Sequence, residues 1–170
     1  MSSRREARER VMQALYAFEQ GGGSADHIID HIIRPGLDDD PTTLRFCESL
    51  FLRCIDAEDE ANEIIKQHAE NWEFSRIALI DRLLLRMAIC EMLSFPDIPP
   101  KVSINESIEI AKKYSTENSG KFINGILDAV LLLLYEEGRL RKSGRGLVGM
   151  DSLQKRSSTP DSPPVDQNHA

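Results

Sequence analysis

The stretch NSGKFING, which begins at Asn118, brings together side chains that suit an anion and an aromatic ring. Asn118 is a favourable N-cap for a helix that starts at Ser119. The first amides of that helix, at Ser119, Gly120 and Lys121, would be unpaired donors at the positive end of the helix dipole. Gly120 would let a phosphate approach the backbone, Lys121 would add charge, and Phe122 would offer a face for a stacked base.

The position of Phe122 leaves a second interpretation open. The apolar stripe of this helix contains Ile123, Ile126, Leu127, Val130, Leu131 and Leu134. At about 100° per residue, Phe122 lies roughly 110° from the centre of the stripe and Lys121 roughly 150°. Phe122 could therefore pack against a neighbouring helix, with Lys121 simply solvated.

A second set of candidate residues lies on the first predicted helix, roughly residues 3–20. Its buried stripe is predicted to contain Ala7, Val11, Ala14, Leu15 and Phe18. Arg5, Met12 and Tyr16 are predicted to project from the opposite face, with Arg8 to their side. Arginines beside an exposed tyrosine suit an RNA or protein contact surface, whereas the interleaved glutamates also fit an ordinary solvated face.

The elements that position these residues are predicted to be helices, because helical periodicity dominates and no alternating strand pattern stands out. The helix predicted over about residues 76–95 is apolar on nearly every side, which is typical of a helix surrounded by others. The SINE sequence at 103–106 has the pattern of a capping box and predicts a helix that starts at Ser103. We therefore expect an all-α bundle of about seven helices.

The charge of the chain is unevenly distributed. The net charge is −7, which argues against a general nucleic-acid binder, yet residues 139–156 carry six basic residues and one acid. An acidic body with a local basic patch can hold RNA at one place and repel it elsewhere. We expect residues 1–138 to form the helical domain. Residues 139–170, first basic and then rich in Ser and Pro, are expected to form a tail that is disordered or at most partly helical.

Several classes of protein are disfavoured by the sequence. The chain has no run of 18 apolar residues and no visible secretory signal, so no membrane association is expected. The three cysteines are predicted to be reduced thiols in a core, which fits a cytoplasmic protein. No nucleophile–base pattern or phosphate loop is present, so neither catalysis nor a cofactor is expected. His27 and His31 lie one turn apart but have no evident third ligand, and no metal site is expected.

Three blocks of the sequence resemble the NusB family of bacterial transcription antitermination factors. They read RREARERVMQALYAFE (4–19), NWEFSRIALIDRLLLRMAICEML (71–93) and IPPKVSINESIEIAKKYSTENSGKFINGILDAV (98–130). The third block is the most specific, with its V-x-I-N-E motif and its K-F-x-N-G-x-L-D motif. Glu6 departs from the family pattern, because it interrupts the arginine run of the first block.

This resemblance implies an all-α fold of two packed helical subdomains and no enzymatic activity. It implies binding to box A RNA from ribosomal RNA operon leaders, together with the small-subunit ribosomal protein NusE, in the antitermination complex of RNA polymerase. By position, Arg4, Arg5 and Arg8 match the arginine-rich end that approaches RNA, and Lys121 and Phe122 match the K-F pair near the RNA. The predicted RNA-binding residues are Arg4, Arg5, Arg8, Ser119, Gly120, Lys121 and Phe122. Tyr16 and Asp81 match positions on the NusE side.

Two further interpretations stay open at this point. One is a helical protein–protein adaptor that has the family fold and no direct role in RNA binding. The other is an RNA methyltransferase that carries a NusB-like domain at its N-terminus, which we do not expect because no Rossmann-like domain follows the helices. The sequence leaves the oligomeric state undetermined, a homodimer included.

Overall fold

Helices form the regular structure of this chain in a computed structural model that describes residues 3–69 and 76–158. The helices are α1 (Arg4–Glu19), α2 (Ala25–Ile28), α3 (Pro41–Asp56), α4 (Glu58–His68), α5 (Leu79–Ser94), α6 (Pro100–Tyr114), α7 (Glu117–Glu136) and α8 (Met150–Ser157). A π-helical turn (Ile29–Ile33) continues α2, and a 3-10 turn (Gly144–Leu147) precedes α8. The described residues contain no strand, so the all-α prediction is confirmed. None of the described helices combines the length and the apolarity needed to cross a bilayer.

The central helix of the bundle is α5. It packs against α1, α3, α4, α6 and α7. The successive residues Leu83, Leu84 and Leu85 are all fully buried. Because successive helical residues point about 100° apart, burial of all three requires neighbours around most of the helix. The prediction of a helix surrounded by others is confirmed.

Two groups of helices meet at α5. On one side α1 packs against α3 and the π-helical turn, and on the other α6 packs along α7. These are the two packed subdomains that the resemblance implies, and they share one hydrophobic core. The predicted placement of Met12 on an exposed face is wrong, since its side chain is buried. The reason is that α1 contacts α3, α5 and α6, so its buried face is wider than one stripe.

A buried ion pair joins α1 to α5. Arg8 donates from Nε and Nη2 to the two carboxylate oxygens of Glu91, at 2.8 and 2.7 Å. Ser103 Oγ on α6 donates to the same carboxylate at 3.0 Å. Burial alone would lower the pKa of Arg8, but the hydrogen bond and charge of Glu91 raise it. Ser103 is therefore not an N-cap: α6 begins earlier, at Pro100, a residue that needs no amide acceptor in the first turn.

A second buried arginine ties α5 to two other helices. Arg86 is 4% exposed, and its Nη2 lies 3.0 Å from Glu19 at the end of α1. The same nitrogen lies 3.5 Å from Glu58 at the start of α4. Arg86 therefore fixes the ends of α1 and α4 against α5.

The segment after α7 returns to the body of the protein, and we call residues 139–158 the C-terminal strap. Lys142 Nζ donates to the carbonyls of Glu91 and Phe95 at the end of α5, at 3.1 and 2.8 Å. Burial lowers the pKa of Lys142 to about 8. Leu153 of α8 is buried as well. The strap is thus partly helical, and packing continues past the predicted boundary at residue 138.

Two predicted segments lie outside the described residues. These are the connector at residues 71–75 and the part of the predicted tail beyond Ser158. The cysteines fall within the described part, where Cys47, Cys54 and Cys90 are buried free thiols.

Arg8→Ala is expected to destabilise the protein by about 3–5 kcal/mol, because it leaves the Glu91 carboxylate buried without its cation. Replacing both partners, as Arg8→Met with Glu91→Leu, should recover most of that loss. Urea unfolding of the two variants measures the difference. A free energy of unfolding for Arg8→Ala within about 1 kcal/mol of the unmodified protein would contradict a structural role for the pair.

Gly146→Ala is expected to detach the strap, because a Cβ at this position would lie 1.8 Å from the carbonyl oxygen of Pro96. Hydrogen exchange should then speed up over residues 139–158. Gly125→Ala is the matched control: it lies within α7 with nothing within 4 Å of its Cβ. That control should stabilise the protein by about 0.5–1 kcal/mol. Unchanged protection of the strap in Gly146→Ala would show that this close approach is not required.

Candidate nucleic-acid interface

A surface cleft of about 600 Å³ opens where the start of α7 meets the start of α5. Its lining residues are Arg76, Ile77, Ala78, Asp81, Ser115, Thr116, Asn118, Ser119, Lys121 and Phe122. Lys121 is exposed, whereas Phe122 is half-buried and packs partly against the hydrophobic core. Phe122 therefore packs on the bundle, which is one of the two interpretations of its sequence position, and its remaining surface lines a cleft beside a cation. That a base stacks on this surface stays a prediction.

The backbone at the start of α7 differs from the prediction. The helix begins at Glu117 with Thr116 as its N-cap, so Asn118 lies within the first turn. The amide of Ser119 donates to the carbonyl of Thr116 at 3.1 Å. The predicted cradle of free amides at Ser119, Gly120 and Lys121 is therefore wrong. Lys121 and Phe122 contribute their side chains to the lining of the cleft.

Gly120 does not line the cleft. A Cβ built on Gly120 would lie 3.5 Å from Cγ2 of Ile108, which is an ordinary contact with α6. Gly120 therefore faces the neighbouring helix, and no ligand approach explains the glycine at this position.

A hydroxyl–carboxylate cluster fixes the start of α7 on α5. Ser119 Oγ donates to Asp81 Oδ2 at 2.9 Å, and both residues are buried. The hydroxyls of Ser115 and Thr116 lie 2.9 and 3.1 Å from Ser119 Oγ. Among the described residues, Asp81 Oδ1 has no hydrogen-bond partner. Asp81, which the resemblance places on the NusE side, thus sits at the edge of the cleft with 6% of its area exposed.

The three predicted arginines of α1 lie in three different environments. Arg4 is exposed, and its guanidinium lies 4.0 Å from the ring centroid of Phe46. Arg5 is exposed and donates to Glu106 on α6 at 2.8 and 3.1 Å, which raises its pKa. Arg8 is buried in its ion pair with Glu91, so its guanidinium is not presented to solvent.

α6 connects the arginines of α1 with the cleft. Near the end of α6, Lys113 pairs with Glu9 at 3.0 Å, and Tyr114 accepts from Gln13 at 3.2 Å. Arg5 meets Glu106, which lies about 12 Å earlier along α6 at 1.5 Å per residue. The contact of Arg5 with Glu106 is therefore more than two helical turns away from Ser115, the lining residue of the cleft that directly follows α6. Lys113 lies between the two groups and was not predicted.

The structure also places the remaining predicted residue and one that sequence reasoning missed. Tyr16 is 44% exposed, as predicted for its face of α1. Arg76 lines the cleft but was not among the predicted site residues. The helix predicted from about residue 76 begins at Leu79, so Arg76 lies in the segment that precedes α5. The described residues contain no group of three His, Cys, Asp or Glu side chains that could hold a metal ion.

Ser119→Ala is expected to destabilise the protein by about 1–3 kcal/mol, because it leaves the buried Asp81 carboxylate without its donor. Asn118→Ala, one residue away, should change the free energy of unfolding by less than about 0.5 kcal/mol because Asn118 is not the N-cap. Urea denaturation of both variants tests the pair. A larger loss for Asn118→Ala would restore Asn118 as the residue that starts the helix.

Known proteins match this chain over most of its length. A sequence profile of the NusB family matches residues 5–132. The chain is 55% identical over 159 residues to the transcription antitermination protein NusB of Salinibacter ruber, covering 94% of this chain and 99% of that protein. It is 45% identical over 158 residues to the NusB of Chloroherpeton thalassium, covering 93% of this chain and 75% of that protein.

Solved structures share the fold. T. maritima NusB superposes with a TM-score of 0.68 and 34% identity, covering 76% of this chain and 91% of that one. A crystal structure of the antitermination factors NusB and NusE in complex with dsRNA gives a TM-score of 0.67 with 22% identity, covering 75% and 95%. The second likeness concerns the fold alone. The profile match and the high identity to NusB proteins show that this chain belongs to the NusB family.

Proposed function

We propose that this protein is a non-catalytic RNA-binding adaptor in transcription antitermination. It binds box A RNA of ribosomal RNA operons together with NusE, and the complex modulates elongation by RNA polymerase. The observation that carries this proposal is the pairing of Lys121 with the half-buried ring of Phe122 in one cleft of a NusB-family fold. The Salinibacter ruber relative is named an antitermination protein, and a NusB of the same fold has been crystallised with NusE and dsRNA.

The cleft suits one nucleotide of a single strand. A base can stack on the exposed part of the Phe122 ring, because every base has an aromatic face. The Lys121 ammonium would attract the adjoining phosphate. Arg5, partly neutralised by Glu106, would contact the strand farther along α6.

NusE is needed because the free protein is a poor electrostatic match for RNA. The net charge of −7 repels a polyanion, and Arg8 is buried in its ion pair with Glu91 and cannot contact RNA. A partner that contacts the same strand raises affinity through added contacts and preorganisation. We place NusE against the exposed Tyr16. Asp81, the other residue that the resemblance places on the NusE side, is buried and would act indirectly by holding Ser119 and the start of α7 in place.

Titration of a fluorescein-labelled box A RNA, followed by anisotropy, tests the function. The protein alone should bind weakly, and equimolar NusE should tighten binding well beyond that of either protein separately. A ternary mixture that binds no better than NusE alone would leave this protein as a helical protein–protein adaptor without an RNA role.

Phe122→Ala is expected to weaken RNA binding by about 1–3 kcal/mol, the size of a lost base–aromatic stack. Phe122→Leu is the control, since it keeps apolar bulk against the core but removes the ring. Both variants should lose RNA affinity, while Phe122→Leu should retain more stability in urea. Full affinity in Phe122→Leu would assign the ring to packing only.

A further inference from the structure

A second groove, of about 560 Å³, lies between the start of α1, the outer face of α3 and the end of α5. It is lined by Arg4, Thr42, Arg45, Phe46, Glu48, Ser49, Leu52, Phe95 and Asp97. We call it the arginine–aromatic groove. It is separate from the cleft at α7, and Arg4 is the one lining residue that was predicted as an RNA contact.

Two aromatic rings at the groove each have a guanidinium over them, at stacking distance for Arg4 and at the outer limit of a cation–π contact for Arg53. Phe46 and Phe95 pack edge to face, with ring centroids 5.8 Å apart. Arg4 lies over the Phe46 ring at 4.0 Å, and Arg53 lies over the Phe95 ring at 5.9 Å. A guanidinium that stacks on a ring is held flat and keeps its N–H edge free for hydrogen bonds in the plane.

The arginines around this groove lack carboxylate partners. Arg4, Arg45 and Arg53 are exposed, and none of them forms an ion pair within the part of the chain that the structure describes. By contrast, the arginines Arg5, Arg8, Arg34, Arg86, Arg139 and Arg156 all pair with acids. Of the two acids in the groove lining, Glu48 is already 3.5 Å from Arg34, which leaves Asp97. A protein with net charge −7 therefore keeps a local cationic face here.

The chemistry of the groove fits a nucleotide. The guanidinium edges suit phosphate oxygens, which accept two parallel hydrogen bonds from one arginine. The half-buried Phe95 ring and the 42% exposed Leu52 form an apolar surface on which a base can lie. Arg4 is adjacent in sequence to Arg5, so the groove adjoins the arginine-bearing end of α1.

We propose that the arginine–aromatic groove binds flanking nucleotides of the same single-stranded RNA that occupies the cleft at α7. This inference rests on the proposed function and extends it, since the bound strand would cross α1 and reach α3. The protein would then recognise a longer stretch of RNA than the cleft alone can cover.

Variants of the full chain separate this groove from the cleft. Arg45→Gln with Arg53→Gln removes one charge from the lining of the groove and one that lies over its Phe95 ring. It leaves Arg4, a predicted RNA contact in its own right, in place. Arg139→Gln with Arg156→Gln is the matched control, because it removes two charges from ion pairs elsewhere. Each variant, with NusE present, is titrated with box A RNAs of about 6 and about 16 nucleotides, sizes that bracket single-strand sites.

The groove variant should bind the longer RNA on the order of tenfold more weakly than the unmodified protein. The slope of log affinity against log salt should flatten by about 1.4, or about 0.7 for each of two phosphates. Binding of the shorter RNA, and the behaviour of the control variant, should stay close to those of the unmodified protein. Thermal unfolding should change little, because Arg45 and Arg53 are exposed and the contact of Arg53 with Phe95 lies at the surface.

Three results would overturn the proposal. Unchanged binding of the longer RNA, while Phe122→Ala still weakens it, would reject the groove and keep the proposed function. Equal losses of affinity for the longer RNA in the groove and control variants would show that the loss reflects net charge and not a specific site. A groove variant that binds RNA like the unmodified protein, but binds a labelled acidic peptide more weakly in the same kind of titration, would make the groove a protein-docking surface. If NusE does not tighten RNA binding by the unmodified protein, the proposed function fails, and the groove proposal, which rests on it, fails with it.

Discussion

The buried contact between Arg8 and Glu91 is the constraint on which the arrangement of the RNA-facing helices depends. Two charges removed from water are tolerated only when they meet each other with good geometry and their remaining hydrogen bonds are satisfied. The fork of Arg8 meets both oxygens of Glu91, and Ser103 supplies a further donor. The three residues come from α1, α5 and α6, so one charge cluster sets the register of three helices.

This constraint decides which arginines remain for ligands. With Arg8 turned inward, Arg4 and Arg5 stay exposed near the start of α1. Arg5 then meets Glu106 on α6, and Arg4 stacks on Phe46. The C-terminal strap contributes a further basic residue to the surroundings of Glu91, because Lys142 donates to the backbone carbonyl of Glu91 near the end of α5. Several basic side chains of this chain are therefore engaged in contacts within the fold, which leaves few cations free on an acidic body. This is why an RNA-binding partner matters to the proposed function.

Periodicity and composition predicted the fold, because those signals are local. The stripe of α7 and the all-round apolar character of α5 each follow from spacing within one helix, and both are confirmed. The sequence could not reveal that Arg8 is buried, since its partner lies 83 residues away. The same limit applies to Ser103, whose capping pattern is locally convincing although its hydroxyl bonds to Glu91. At α7, Asn118 is a better N-cap by residue type, yet the Ser119–Asp81 contact holds a helix that starts at Glu117.

Photo-crosslinking of a 4-thiouridine box A RNA in the complex with NusE, mapped to residues by mass spectrometry, tests the central claim most directly. The claim is that a nucleotide lies against the ring of Phe122. A crosslink at or next to Phe122 on α7 is the predicted result. RNA that binds the complex and crosslinks to this protein only at sites away from the start of α7 would contradict it.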